Sequence, residues 1–295
     1  MGGTKIALGL VGAGGELLQR ARIENREAPD AGALLERVAA AARELVGSAG
    51  TAAVAVGVGI CELVDRSGEI RSAVTIPWTR ADVDEALSPL GPVTVDADVR
   101  TAALAEARVG AGRPFGSFVY VTVGTGVSCC LVRGGEPDPG ARGFAQLIGS
   151  SRVTVPCGED GGRLLTVAAE DVAAGPAIAR RFAARTGEAA STEEVLRRCA
   201  EGDAAAVAVV GEAATVLGSF AALLVNVLDP DAVVIGGGLG AAQGPYWAAL
   251  EPAVREHVWA DDARSLPVVR AALGADAGVV GAALLALLRA PKRGR

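Results

Sequence analysis

The stretch SFVYVTVGTGVSCCLVRGGE, residues 117–136, sets two apolar runs on either side of Gly124-Thr125-Gly126 and closes on a second turn at Gly134-Gly135. Short apolar runs separated by glycine read as paired strands, because glycine enters turn conformations that side chains resist. The opening KIALGLVGAGGELLQRARI, residues 5–23, has the same plan: a strand-like run, the turn GAGG and a returning run. Two such hairpins, far apart in the chain, predict two similar halves.

Each half continues with alternating elements. DAGALLERVAAAARELVG has helical spacing, TAAVAVGVGI reads as a buried strand, and GPVTVDADVRTAALAEARVG runs from strand into helix. In the second half STEEVLRRCAEGDAAAVAVVGEAATVLGSFAALLVNVL, residues 191–228, reads as two helices with Ser191-Thr192-Glu193-Glu194 a helix start, and DAVVIGGGLG is a strand ending in glycines. Strands alternating with helices predict an α/β protein. The boundary is placed in VGAGRPFG, which gives a first domain of 1–112 and a second of 113–275, with the helix of 276–290 returning to complete the first.

Composition narrows the class of partner. The chain has 295 residues, 51% of them hydrophobic, and a net charge of −6 without a basic block, so a nucleic-acid or anionic-membrane surface is not expected and a small-molecule partner is. The longest uncharged stretch, residues 213–228, stops at Asp229-Pro230 and falls short of the roughly 20 residues a bilayer span needs, which predicts a buried helix. The start lacks a basic segment followed by an apolar one, which predicts a cytoplasmic protein. Five scattered cysteines, Cys61, Cys129, Cys130, Cys157 and Cys199, form neither a disulfide framework nor a paired metal motif.

Three glycine sites border strands: Gly2-Gly3-Thr4-Lys5, Gly124-Thr125-Gly126 and Gly236-Gly237-Gly238. Successive main-chain N–H groups in such turns make concave anion sites that a phosphate approaches closely, because no Cβ intervenes. Asp98 stands where a strand gives way to a helix, a position suited both to capping and to accepting a proton in a cleft. Asp96, two residues earlier, reads either as the second member of an acidic pair that receives an ammonium-bearing substrate or as a surface carboxylate.

In order, GGTK, DADVRTAALAEA, VYVTVGTG, GPAIARR and NVLDPDAVVIGGGLG resemble the ROK family of sugar kinases and related repressors over nearly the whole chain. That resemblance implies an actin-like fold of two ribonuclease-H-type domains that close around a sugar and ATP. It also implies Mg²⁺ and the following roles. Gly2, Gly3, Thr4 and Lys5 would lie near the β- and γ-phosphates, Gly124, Thr125 and Gly126 would cradle phosphates, and Gly236, Gly237 and Gly238 would line the nucleotide site. Asp98 matches the family's catalytic base and also binds sugar, and Glu170 matches a sugar-binding glutamate. Family members usually open on a strand ending in D-x-G-G-T-K, so the first strand is expected to be truncated here.

Departures from the pattern are expected to matter. The asparagine before the base is Ala97, and the family's G-E-I-G-H is QLIGS, which places Leu147 and Ser150 at the glutamate and histidine positions. Cys157 stands alone in PCGEDGG and His257 is the sole histidine, so no structural zinc is expected. The implied activity is ATP-dependent phosphorylation of the primary (6-)hydroxyl of a hexose. An amino sugar such as kanosamine, as in antibiotic biosynthesis, is the preferred substrate because it suits an Asp96–Asp98 pair, and glucose is the generic one. A C7-cyclitol 7-kinase and a non-catalytic sugar-binding or regulatory protein are the alternatives. A homodimer accords with the resemblance, whereas a repressor is disfavoured because no basic recognition helix is present.

Overall fold

The computed structural model describes residues 5–25, 28–50, 52–145, 147–157 and 163–291. The first elements are β1 (Lys5–Val11), β2 (Leu17–Glu24), α1 (Ala31–Ser48), β3 (Val56–Ile60), α2 (Arg80–Leu87), β4 (Val93–Ala97) and α3 (Asp98–Val109). There follow β5 (Ser117–Val123), β6 (Val127–Arg133), β7 (Glu136–Pro137), β8 (Arg152–Cys157), β9 (Arg163–Ala168), α4 (Glu170–Ala173), α5 (Gly175–Thr186) and α6 (Thr192–Ala200). The last are α7 (Ala204–Leu228), β10 (Ala232–Gly236), α8 (Gly237–Gly240), α9 (Pro245–His257), β11 (Val268–Arg270) and α10 (Ala277–Arg289).

Contacts divide the chain into two compact units. The first holds the residues up to Pro114, Val132–Ala145 and those from Ala275 onward; the second holds Phe115–Leu131 and Gln146–Gly274. Residues 132–145 therefore group with the first unit, although they lie beyond a boundary at 112/113.

In the first unit, β1 and β2 form an antiparallel hairpin with Lys5 opposite Glu24, while β3 and β4 pair in parallel from Val56↔Val93 to Ile60↔Ala97. Among the described residues no ladder joins the two ribbons, yet Ile6, Ile23, Val58, Ile60 and Val95 share one core with Leu35 and Val38 of α1. Asp30 starts α1 by accepting from the Ala33 amide at 2.8 Å, and Thr79 with Asp82 forms a reciprocal cap on α2. The C-terminal helix α10 packs on α3, β3, β1 and β4. Its approach requires glycine: a Cβ at Gly57 would collide with the Ala282 carbonyl, and one at Gly281 with the Thr101 carbonyl.

The second unit is built on the strand order β11-β10-β5-β6, in which β10 runs parallel to both β11 and β5. Alternate residues of β5 (Val119, Val121, Val123) and of β10 (Val233, Ile235) enter one core with Val209, Val210 and Leu217 of α7, as a two-residue side-chain period dictates. α7 is long and apolar enough to cross a membrane by composition, but half of its most apolar stretch is buried inside this unit. It is the second of the two helices read over residues 191–228; Asp203 starts it by accepting from the Ala206 amide at 2.9 Å, and it ends at Asp229, whose φ of 46° is left-handed. Ser191 caps α6 through the Glu194 amide. β8 and β9 form a separate antiparallel hairpin.

Candidate active site

In the first unit the parallel register sets the ends of β3 and β4 side by side, with Ile60 opposite Ala97, so that Cys61 and Asp98 leave the sheet together. The carboxyl ends of parallel strands are where open α/β sheets bind ligands. Asp98 is the first residue of α3; the capping position belongs to Ala97, which makes no side-chain cap. Burial raises the proton affinity of the Asp98 carboxyl, and the Val99 amide and the Arg100 guanidinium only partly oppose it. The Thr101 hydroxyl donates to the Asp98 carbonyl at 2.8 Å. Gly59 leaves room beneath, since a Cβ there would stand 2.6 Å from that hydroxyl and 3.5 Å from the Asp98 Cα.

Asp96 is not free to make an acidic pair with Asp98. Its Oδ1 accepts from Arg100 Nε at 2.6 Å and from the Ala97 amide at 2.8 Å. Arg100 is 8% exposed and sends its other nitrogens to the Gly143 carbonyl at 2.6 Å and the Val64 carbonyl at 2.7 Å. The expected pair is thus replaced by a buried clamp in which Asp96 neutralises a guanidinium that ties two loops to the start of α3. Sequence reasoning passed over Arg100, because Asp96 lies on β4 and Arg100 in the first turn of α3, so no periodic spacing pairs them. It also passed over Cys61. The Cys61 thiol is pushed up by burial and then by the charge on Asp98, while a hydrogen bond with Thr75 pulls the other way.

In the second unit, Gly124-Thr125-Gly126 is the turn between β5 and β6, closed by the Gly124 amide donating to the Gly126 carbonyl at 3.0 Å. The Gly175 amide at the head of α5 donates to the Gly124 carbonyl at 2.8 Å. Gly236-Gly237-Gly238 runs from β10 into α8 beside it: a Cβ on Gly124 would lie 3.7 Å from the Gly238 amide nitrogen. Gly237 has a φ of 83°, and any Cβ there would strike the Val123 carbonyl, whereas Gly238 faces open space. Two of the three glycine sites therefore meet.

Glu170 joins them. One of its carboxylate oxygens is 3.3 Å from the Cβ position of Gly126, and its amide donates to the Gly149 carbonyl at 3.1 Å. Leu147-Ile148-Gly149-Ser150 is thereby held against the same turn, with Leu147 43% exposed. Gly2, Gly3 and Thr4 lie outside the described residues, and Lys5 opens β1 as an exposed residue. The loop after Cys157 also lies outside them. His257 turns its Nδ1 to the Ala253 carbonyl of its own helix at 2.8 Å. The chemistry on offer is a carboxylate of raised proton affinity in one unit, and in the other a glycine-lined cradle with a carboxylate at its rim.

The model of the ROK family matches residues 1–289. The chain belongs to the ROK family. Among curated relatives, the bifunctional enzyme NanE/NanK of Brucella melitensis is 33% identical over 97% of this chain and 52% of its own length, so the chain spans about half of that relative. Glucokinases and N-acetylmannosamine kinases are also similar to it. The ROK hexokinase of Thermus thermophilus superposes with a TM-score of 0.79 at 34% identity, covering 98% of this chain and 96% of that one. A ROK glucokinase of Streptomyces griseus, solved with glucose and AMPPNP, superposes with a TM-score of 0.81 at 28% identity over 98% of this chain and 97% of its own. This ROK protein has their actin-like ATPase and sugar kinase fold.

Proposed function

We propose that this ROK protein is an ATP-dependent carbohydrate kinase that phosphorylates the primary hydroxyl of a hexose or modified hexose. The observation that carries the reading is the junction of Gly124-Thr125-Gly126 with Gly236-Gly237-Gly238, whose Cβ-free surfaces meet with open space over Gly238. Such a cradle fits a chain of phosphates. Asp98, held partly out of water at the end of β4, suits the proton acceptor.

In this reading the hydroxyl oxygen attacks the γ-phosphorus as the bond to the β,γ-bridging oxygen breaks and ADP leaves, Asp98 takes the hydroxyl proton, and the glycine amides hold the phosphates in line. Glu170 at the rim of Gly126 accepts hydrogen bonds from sugar hydroxyls. Mg²⁺ belongs to the same reading. The described residues offer no group of three His, Cys, Asp or Glu side chains placed to hold a metal. That fits a cation carried on the nucleotide's own phosphates, which is how Mg²⁺ is commonly held. When bound, it neutralises charge on the β- and γ-phosphates.

The amino-sugar variant depended on a free Asp96, and Arg100 takes that carboxylate. Glucose therefore stands ahead of kanosamine, with N-acetylmannosamine admitted by the relatives' names and a C7 cyclitol retained. Ala97, Leu147 and Ser150 favour a second reading, a sugar-binding protein without turnover, because they remove polar anchors that grip ring hydroxyls. ADP release with ATP and Mg²⁺ against glucose, N-acetylmannosamine, kanosamine and a C7 cyclitol separates the two. Turnover on one of them supports the kinase, whereas sugar binding with no ADP release selects the second reading. A cytoplasmic setting and a homodimer complete the proposal, the latter measured by light scattering.

A further inference from the structure

Glu62 lies one residue past Cys61, where a strand leaves the sheet beside Asp98, and it is 6% exposed. A buried carboxylate is costly unless every lone pair is met. Here all are engaged from one short segment. The amides of Val74, Thr75 and Ile76 donate to it at 3.0, 2.5 and 2.8 Å, and the Ser72 hydroxyl donates to it as well. Three successive amides around one anion make a nest built from the chain itself. Ser72 Oγ also receives the Leu63 amide at 2.8 Å, which closes the near side of the segment. On the far side the side chains of Ile76 and Trp78 are buried at 2% and 3% exposure.

What this arrangement holds is unusual for a loop. Residues 73–75 are exposed, and Val74 is 88% exposed, yet the amides of Val74 and Thr75 are held by the Glu62 carboxylate. An apolar side chain presented to solvent on a rigid backbone contributes nothing to the core, and it can meet the carbon face of a ring without paying to be ordered first. The Thr75 side chain hydrogen-bonds Cys61, which stands next to Asp98.

We propose that Glu62 is the positioning residue of the acceptor side of the site, its buried carboxylate locking residues 73–75 beside Asp98 so that Val74 and Thr75 select the sugar. The acceptor's being a sugar rests on the kinase reading above. Calorimetry with glucose, N-acetylmannosamine and kanosamine in turn, and separately with AMPPNP, tests the proposal on wild type, Glu62→Gln and Val74→Asp. The expected result is sugar affinity weakened about tenfold or more in Glu62→Gln, the order of a lost buried polar interaction, and weakened also in Val74→Asp, which sets a carboxylate where the ring's carbon face would rest, with AMPPNP affinity unchanged. In Glu62→Gln, hydrogen exchange at the amides of Val74, Thr75 and Ile76 should also accelerate. If Glu62→Gln fails to fold, Val74→Asp carries the test, because its exposed side chain leaves the core untouched. Unchanged sugar affinity in the folded variants, or a wild type that binds none of the three sugars, overturns the proposal. A wild type that binds sugar but releases no ADP overturns the kinase reading and leaves the positioning role standing.

Discussion

Asp98 and Glu62 are two withdrawn carboxylates one strand apart, and their surroundings push them in opposite directions. Around Asp98, burial outweighs the Val99 amide and Arg100, so its proton is held more tightly in the folded protein than in the unfolded chain. Stability therefore falls as pH rises from the unfolded carboxylate range through this raised value, and the loss persists above it. Asp98→Asn removes that loss: its melting temperature should exceed the wild type's at pH 7, and the gap should close in acid, as read by thermal unfolding across pH. For Glu62, burial alone would raise the carboxyl, but Ser72 and the amides of Ile76, Thr75 and Val74 outweigh it and the net shift is downward. Its stabilisation is present above the unfolded carboxylate range and is lost as pH falls through the lowered folded value. Glu62→Gln should therefore be less stable than wild type at neutral pH, with the difference shrinking in acid. At this scale the sequence was only partly legible. The place of Asp98 was legible because the strand-to-helix change is written in local pattern, whereas the Arg100 clamp joins carbonyls of Val64 and Gly143 that lie distant in the chain and leave no local mark.

Elements were more legible, because their signals are periodic. Both hairpins, the cap at Ser191 and the run of α10 follow from glycine placement and apolar spacing. Against this, the break between the two helices read over residues 191–228 was not placed, and Asp203 sets it by capping α7. The close approach of α10 was also hidden, because two glycines among 40 do not announce which of them is pressed against a carbonyl. Gly281→Ala should destabilise the protein by about 1–3 kcal/mol, the usual cost of overpacking, since its methyl would strike the Thr101 carbonyl. Gly278→Ala, on the same helix with nothing within 4 Å of its Cβ position, should be neutral or slightly stabilising, as alanine favours helix over glycine. Urea unfolding of the two variants checks both.

At the scale of the whole molecule, each unit carries its own group of candidate residues. The first offers a carboxylate of raised proton affinity with a rigid exposed segment beside it; the second offers the joined glycine turns with Glu170 at their edge. Duplication of the hairpin plan made the two-part α/β architecture readable, and the order of motifs along the chain pointed to the ROK family that the family match bears out. Specificity was not readable in the same way, because it depends on which side chains are already engaged, as the Asp96–Arg100 pair demonstrates. The most direct test is ADP release by wild type and Asp98→Asn with ATP, Mg²⁺ and the best acceptor of the sugar panel, alongside AMPPNP binding to each. Loss of a positioned proton acceptor should lower turnover by about 10²- to 10⁴-fold while AMPPNP affinity stays the same. Equal turnover in the two proteins would contradict the assignment of Asp98 as the base and with it the mechanism.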